Sequence, residues 1–272
     1  MWQPLPVIEE WIYMNKIQQA FSNGKAFIPF VTAGDPDLAT TEALIVAMAQ
    51  AGADIIEIGI PFSDPIAEGP VIQEADVRAL AAGTTTDKIF DMVKRVRQQT
   101  AVPLVFMTYM NPVFSYGIGR FMKNSHEAGI DAIIVPDVPF EEKAELLTGC
   151  RANDIALISM IAPTSADRVQ KIAAEAEGFL YCVSSLGVTG MRTQINTNIG
   201  QLIQNVKQVS DIPCAIGFGI SNPQQAAEMA KLSDGVICGS AIVKIVAEYG
   251  KDSVGPVSDF VYAMKKAVAA VK

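Results

Sequence analysis

The stretch "ATTEALIVAMAQAGADIIEIGIPFSDPIAEGP" (residues 39–70) sets the reading of the whole chain. Its first part, residues 39–52, repeats apolar residues at i, i+3, i+4 spacing and stops at Gly52, which predicts an amphipathic helix. Its middle, "DIIEIGIP" (54–61), is a short β-branched apolar run, which predicts a buried strand. Its end is a loop with Pro61, Pro65, Gly69 and Pro70 that carries Asp64 and Glu68.

The same alternation recurs along the chain. Further apolar runs are "AFIPFVTAG" (26–34), "PLVFMTYM" (103–110), "AIIVPDVP" (132–139), "ALISMIAPT" (156–164), "GFLYCVSSLG" (178–187), "PCAIGFGIS" (213–221) and "GVICGSAIV" (235–243). Helix-period segments lie between them, as at 85–99, 140–153 and 165–178. Strands alternating with helices form parallel βαβ units. Eight such units in about 250 residues match a (β/α)8 TIM barrel, and a doubly wound open sheet is the alternative. No composition shift or linker divides the chain, so residues 1–272 read as a single barrel domain. The stretch 8–23, "IEEWIYMNKIQQAFSN", reads as an extra N-terminal helix across the barrel bottom.

Strand parity then places a charge where it is expensive. Ile56, Ile58 and Ile60 share the strand face that packs outward on helices. Ile55, Glu57 and Gly59 share the face that points into the barrel. Glu57 is therefore an inward carboxylate near the strand's C-terminal end, where barrels of this class carry their active sites. With no Lys or Arg at a strand end to pair with it, it needs a shifted pKa or a chemical task. The loop behind it is long and apolar enough to hold Asp64 and Glu68 over the barrel mouth.

Composition excludes much else. Net charge is −8 with no Lys/Arg cluster, so a nucleic-acid partner is not expected. No apolar run reaches the roughly 18 residues of a membrane span. The N-terminus lacks a basic secretory region. Cys150, Cys182, Cys214 and Cys238 show no CxxC spacing and read as reduced core thiols. These features point to a cytoplasmic protein. The single His, His126, reads as a surface helix position. Acid–base chemistry therefore falls to carboxylates or Tyr, and a His-based triad or metal site is excluded.

Three Gly-bearing loops suit a phosphate: "GVTG" (187–190), "GFGIS" (217–221) and "CGSAIV" (238–243). Gly permits close backbone approach, and a helix N-terminus adds N–H donors. The loops after strands seven and eight form the usual phosphate site of this fold. Phe30, Tyr109, Tyr181 and Phe218 fall on or just after strand ends and would line a pocket for a flat apolar group.

At these residues the sequence resembles the tryptophan synthase α-subunit family over nearly its whole length. "EIGIPFSDPIAEGP" is similar to that family's second strand and loop, and "FVTAGDP", "MTYMNP", "PDVP", "GVTG", "GFGIS" and "GSAIVK" follow in matching order. The resemblance implies a TIM barrel that cleaves indole-3-glycerol phosphate to indole and glyceraldehyde 3-phosphate. It implies no cofactor in this chain, a β-subunit partner that carries pyridoxal phosphate, and an α2β2 heterotetramer. By position, Glu57 matches the catalytic Glu, and Glu68 stands where the family usually has its catalytic Asp. Tyr181 matches the Tyr beside the catalytic Glu, and Thr189 matches the mobile-loop Thr. Phe30, Tyr109 and Phe218 match the indole pocket. Gly190, Gly219, Gly239 and Ser240 match phosphate ligands. Ser185 stands where many members have Arg. Pro61, Asp64 and Pro65 are expected at the partner interface.

Overall fold

The computed structural model describes residues 16–163, 165–183, 192–217 and 219–271, with the backbone alone for 192–198. Its strands are β1 (Ala26–Thr32), β2 (Ile56–Gly59), β3 (Leu104–Met107), β4 (Ala132–Ile134), β5 (Ala156–Leu157), β6 (Ser159–Ile161), β7 (Leu180–Cys182), β8 (Cys214–Gly217) and β9 (Gly235–Cys238). Every pairing among them is parallel, in the order β5-β4-β3-β2-β1-β9-β8-β7-β6. The two ends of that order, β5 and β6, are segments of one predicted run, separated only by Ile158. The Ile158 N–H still donates to the Ile133 carbonyl at 2.9 Å. One strand thus pairs with β4 through its first half and with β7 through its second, and the sheet curls into a barrel. The doubly wound alternative is overturned, because an open sheet would end on two different strands.

Helices fall where the apolar period and capping chemistry place them. Leu38–Gln50 begins at Asp37, whose carboxylate accepts the Thr40 N–H at 2.8 Å. Thr86–Arg97 begins at Thr85, and Pro223–Ala230 begins at Asn222, whose side chain accepts the Gln225 N–H at 2.9 Å. Proline occupies the first helical position of Pro70–Ala81 and of Pro223–Ala230, where its missing N–H costs nothing. The predicted segments 140–153 and 165–178 contain the helices Ala144–Arg151 and Ala166–Ala174.

Strand parity divides the core into two clusters. Phe27, Val31, Ile56, Ile58, Leu104, Phe106 and Ile133 face outward and pack with buried helix residues such as Leu44, Ile89 and Val93. Ala26, Ile28, Phe30, Ile55, Val105, Ile134, Ala215 and Ile237 face inward and fill the barrel. Ile17, in the short helix Lys16–Gln19, is fully buried in this inner cluster, and a Cβ on Gly178 would lie 3.1 Å from its side chain. This turn covers the barrel bottom, as expected for the N-terminal helix; the part of the predicted stretch at 8–15 lies outside the described residues.

A repeated device locks the N-terminal ends of the strands. Asp54, Asp131 and Asp234 precede β2, β4 and β9. Each accepts the backbone N–H of Phe27, Leu104 or Cys214 in the neighbouring strand, at 2.6, 2.9 and 2.9 Å. Each is also paired with a cation: Lys265 on Asp54, Arg97 and Lys16 on Asp131, and Lys207 on Asp234. These charges are neutralised at the end of the barrel opposite the inward carboxylate.

Candidate active site

Glu57 sits on β2 between Phe30 of β1 and Val105 of β3, its Cα partners in the sheet. It is 1% exposed, and its Oε1 has no hydrogen-bond partner. Loss of hydration, followed by the charge of Glu68, pushes its carboxyl up to about 8. Glu57 is therefore a neutral acid at pH 7, able to give a proton and take one back. Tyr181, on β7, turns its hydroxyl into the same space. Burial, then the Glu57 charge, holds that phenol well above its ordinary range.

Two glycines make room for the aromatic walls. A Cβ on Gly59 would stand 2.6 Å from Phe30 Cζ, and one on Gly217 would stand 2.5 Å from the Tyr181 hydroxyl. Phe30 also lies 3.5 Å from the corresponding position on Gly239. Close backbone approach at these points lets the rings lie across the barrel mouth.

The second carboxylate is supplied by the loop after β2. The Tyr109 hydroxyl accepts the Ala67 N–H at 3.1 Å, and the Tyr109 ring lies 5.5 Å from that of Phe62. The Gln73 side chain donates to the Glu68 backbone carbonyl at 2.8 Å. These contacts turn the half-buried Glu68 side chain inward, toward Tyr109 and Glu57. Burial raises its carboxyl pKa, the nearby Asp76 and Tyr109 act against that rise, and its Oε2 is buried without a hydrogen-bond partner. Tyr109 is itself shifted up, first by burial and then by the Glu68 charge.

The Gly-bearing loops meet at the same end of the barrel. Gly217 of β8 pairs in register with Ile237 of β9, so Gly219 and Gly239 follow at equivalent positions. The Cys238 thiol contacts the Ile220 carbonyl at 3.1 Å and ties the two loops together. Gly219 has φ +61°, a left-handed conformation that favours glycine. Ser240 opens the helix Ser240–Tyr249, whose first N–H groups face the barrel mouth's rim. Thr189, Gly190, Phe218 and Ser185 lie outside the described residues. Among the described residues, no cluster of His, Cys, Asp or Glu has a metal-binding arrangement, and no helix is long and apolar enough to cross a membrane.

Comparison with known proteins decides the family. The model of the family described as "Tryptophan synthase alpha chain" matches residues 17–271. The chain belongs to the tryptophan synthase alpha chain family. It is 46% identical over 259 residues to the tryptophan synthase alpha chain of Lacticaseibacillus casei, covering 95% of this chain and 97% of that one. Identity to the Caldanaerobacter subterraneus protein is 43%, covering 93% and 99%. Among solved structures, the alpha chain in the a2b2 tryptophan synthase complex of Pyrococcus furiosus superposes with a TM-score of 0.83 at 35% identity, covering 89% and 99%. Mycobacterium tuberculosis tryptophan synthase gives 0.85 at 32%, covering 94% and 98%.

Within this family member, the structure gathers Glu57, Glu68, Phe30, Tyr109 and Tyr181 at one barrel mouth, with Gly219, Gly239 and Ser240 on its rim. Of the residues expected at a partner surface, Pro61 is buried in the isolated chain. Asp64 is exposed, Pro65 is half-buried, and the exposed apolar side chain of the loop is Ile66, at 80%. His126 is exposed on its helix, and all four cysteines are buried and free. Sequence reading missed Asp76, which is 4% exposed between Ala75 and Ala79 on the inner face of Pro70–Ala81. The signal was available: an Asp interrupts the apolar stripe of that helix.

Proposed function

We propose that the chain cleaves indole-3-glycerol phosphate to indole and glyceraldehyde 3-phosphate, as the α subunit of tryptophan synthase in tryptophan biosynthesis. The observation that carries this reading is a carboxyl held neutral inside an aromatic-lined barrel mouth, with a second carboxylate facing it from the β2 loop. Glu57 gives its proton to C3 of the indole ring, which makes the ring an electron sink. The resulting Glu57 carboxylate takes the proton of the hydroxyl on the adjoining side-chain carbon. The bond between that carbon and C3 then breaks. Its electron pair restores the indole ring system, and the side chain leaves as the aldehyde. Glu68 stabilises the ring N–H as it becomes more acidic during C3 protonation.

Phe30, Tyr109, Tyr181 and Phe218 enclose the indole. Backbone N–H groups of Gly190, Gly219, Gly239 and Ser240 hold the phosphate, and Thr189 orders Glu68, which stands at the catalytic Asp position. The reaction consists of proton transfers and one C–C cleavage, so the chain itself uses no metal, redox or pyridoxal cofactor. The chain acts as one barrel unit, residues 1–272, in the cytoplasm. A β subunit docks on the loop containing Asp64, Pro65 and Ile66 to form an α2β2 assembly; the Pyrococcus furiosus relative is described as an a2b2 complex. Pyridoxal phosphate belongs to that β subunit. Incubating the chain with indole-3-glycerol phosphate, alone and with a β subunit, tests this reading. Stoichiometric indole and glyceraldehyde 3-phosphate are expected, with faster release in the complex. No indole under either condition would overturn it.

A further inference from the structure

We propose that Gln73 is a positioning residue for Glu68, acting with the Tyr109 hydroxyl to fix the backbone on either side of it. The inference rests on the role proposed for Glu68 and gives a task to two polar groups that the reaction scheme leaves unused.

No hydrogen bond to Oε2 fixes the Glu68 carboxylate: that atom is buried without a partner, which leaves it open to a substrate N–H. The backbone that carries the side chain therefore sets its place. Gln73 grips this backbone on the C-terminal side. Its Nε2 donates to the Glu68 carbonyl at 2.8 Å, and its own backbone N–H donates to the Gly69 carbonyl at 3.1 Å. One residue thus holds two successive carbonyls. The local sequence offers no other side-chain cap. Gly69 opens the helix Pro70–Ala81 in an extended conformation without a side-chain hydrogen bond, and Pro70 has no N–H to give. A Cβ on Gly69 would meet no atom within 4 Å, so packing does not restrain this point either.

Tyr109 grips the N-terminal side. Its hydroxyl accepts the Ala67 N–H at 3.1 Å and its ring lies 5.5 Å from that of Phe62, so the β2 loop meets it at two points. Tyr109 is itself well anchored. It is 2% exposed, and both its neighbours are hydrogen-bonded: the Thr108 N–H to the Ile134 carbonyl at 3.1 Å, and the Met110 N–H to the Asp137 carboxylate at 2.9 Å. Between the two grips lie only Ala67 and Glu68, each with two soft backbone dihedrals. With the Ala67 N–H and the Glu68 carbonyl both held, the Cα–Cβ bond of Glu68 keeps one direction, into the barrel mouth. Glu has one more rotatable bond than Asp, so a shift of its Cα is carried further at the carboxylate.

Two shape-conserving variants test the proposal. Gln73→Met keeps the side chain's length and helix propensity and removes the donor. Tyr109→Phe keeps the ring and removes the acceptor. Each is expected to lower kcat of the isolated chain by about three- to tenfold, and the double variant by about 10- to 100-fold, the scale of a misplaced catalytic group, with KM changed by less than about threefold. In a Glu68→Ala background, with residual indole release followed over hours, neither substitution should lower the rate by more than about twofold, because no carboxylate remains to be placed. A purely structural role, or a role of Tyr109 as a pocket wall alone, would cost the same in both backgrounds. The second readout is nitrogen-relaxation NMR of the free protein. The order parameter is expected to fall from about 0.85 toward about 0.6 at the Ala67 N–H in Tyr109→Phe, and at the Gly69 N–H, which shares a peptide group with the Glu68 carbonyl, in Gln73→Met. Wild-type kcat in Gln73→Met, equal fold losses with and without Glu68, a loss confined to KM, or unchanged order parameters would overturn the proposal. If the wild type cleaves no indole-3-glycerol phosphate, the proposed function fails, and the relaxation data still decide whether Gln73 and Tyr109 hold this backbone.

Discussion

Replacing Glu57 with Gln should abolish cleavage and stabilise the protein at alkaline pH. The side chain is fully buried, and its folded-state pKa is about 8 against an ordinary 4.5. Below pH 4.5 the carboxyl is protonated in both folded and unfolded chains, so it favours neither. As pH rises from there toward 8, the unfolded chain has released the proton and the folded chain retains it. Folding stability then falls by about 1.4 kcal/mol per pH unit, a total on the order of 5 kcal/mol by pH 8. Above about pH 8 both states are ionised and the loss stays constant. Gln has nearly the same shape and cannot ionise, so Glu57→Gln is exempt from this loss. Urea unfolding at pH 5, 7 and 9 is the assay. Near pH 5 the variant and wild type should differ by less than about 1 kcal/mol, and the difference should widen by several kcal/mol toward pH 9. Activity should fall by at least about 10²–10⁴-fold, the usual value of a positioned acid–base group. A stability difference that stays constant with pH would refute the burial argument, and near wild-type turnover would refute the catalytic one.

Glu68→Ala should nearly abolish kcat. Glu68→Asp should lower it by about tenfold, because the shorter arm withdraws the carboxylate from the barrel mouth; a rise in steady-state kcat would show that the reach of Glu is not needed. Gly59→Ala drives a Cβ to 2.6 Å from Phe30 and should cost about 1–3 kcal/mol in a urea titration while raising KM for the indole substrate. Asp131→Ala leaves the mostly buried Arg97 guanidinium and the Leu104 N–H without their carboxylate, and should destabilise the chain by about 3 kcal/mol without changing KM. Ile66→Ser and Asp64→Ala alter the exposed part of the β2 loop. Each should weaken activation by the β subunit, read as the ratio of indole release with and without it, more than it changes turnover of the isolated chain.

Local pattern carried most of the architecture. Periods of two and of roughly 3.6 can be read wherever burial is one-sided, and they located the eight runs and the helices between them. Parity alone put Glu57 inside the barrel, because alternate side chains of a strand must face opposite ways. The β2 loop, the aromatic residues and the Gly-bearing loops were recognisable as motifs. The break at Ile158 was not, because "ALISM" reads as one continuous strand run and a change of pairing partner leaves no trace in hydropathy.

Pairwise relations over long sequence distances had to await the folded chain. Asp54, Asp131 and Asp234 look like ordinary turn residues until the barrel closes and sets each beside a neighbouring strand's N–H and a distant cation. Pro61 looks like part of an exposed loop until β2 is packed. Asp76 looks like one more charge on a surface helix until that helix buries the face it shares with Ala75 and Ala79. Which residues are apolar, and at what period, is a property of adjacent positions, so the sequence states it directly. A carboxyl's protonation depends on the water it loses and the charges it meets, and those are set by chain segments that become neighbours only in the closed barrel.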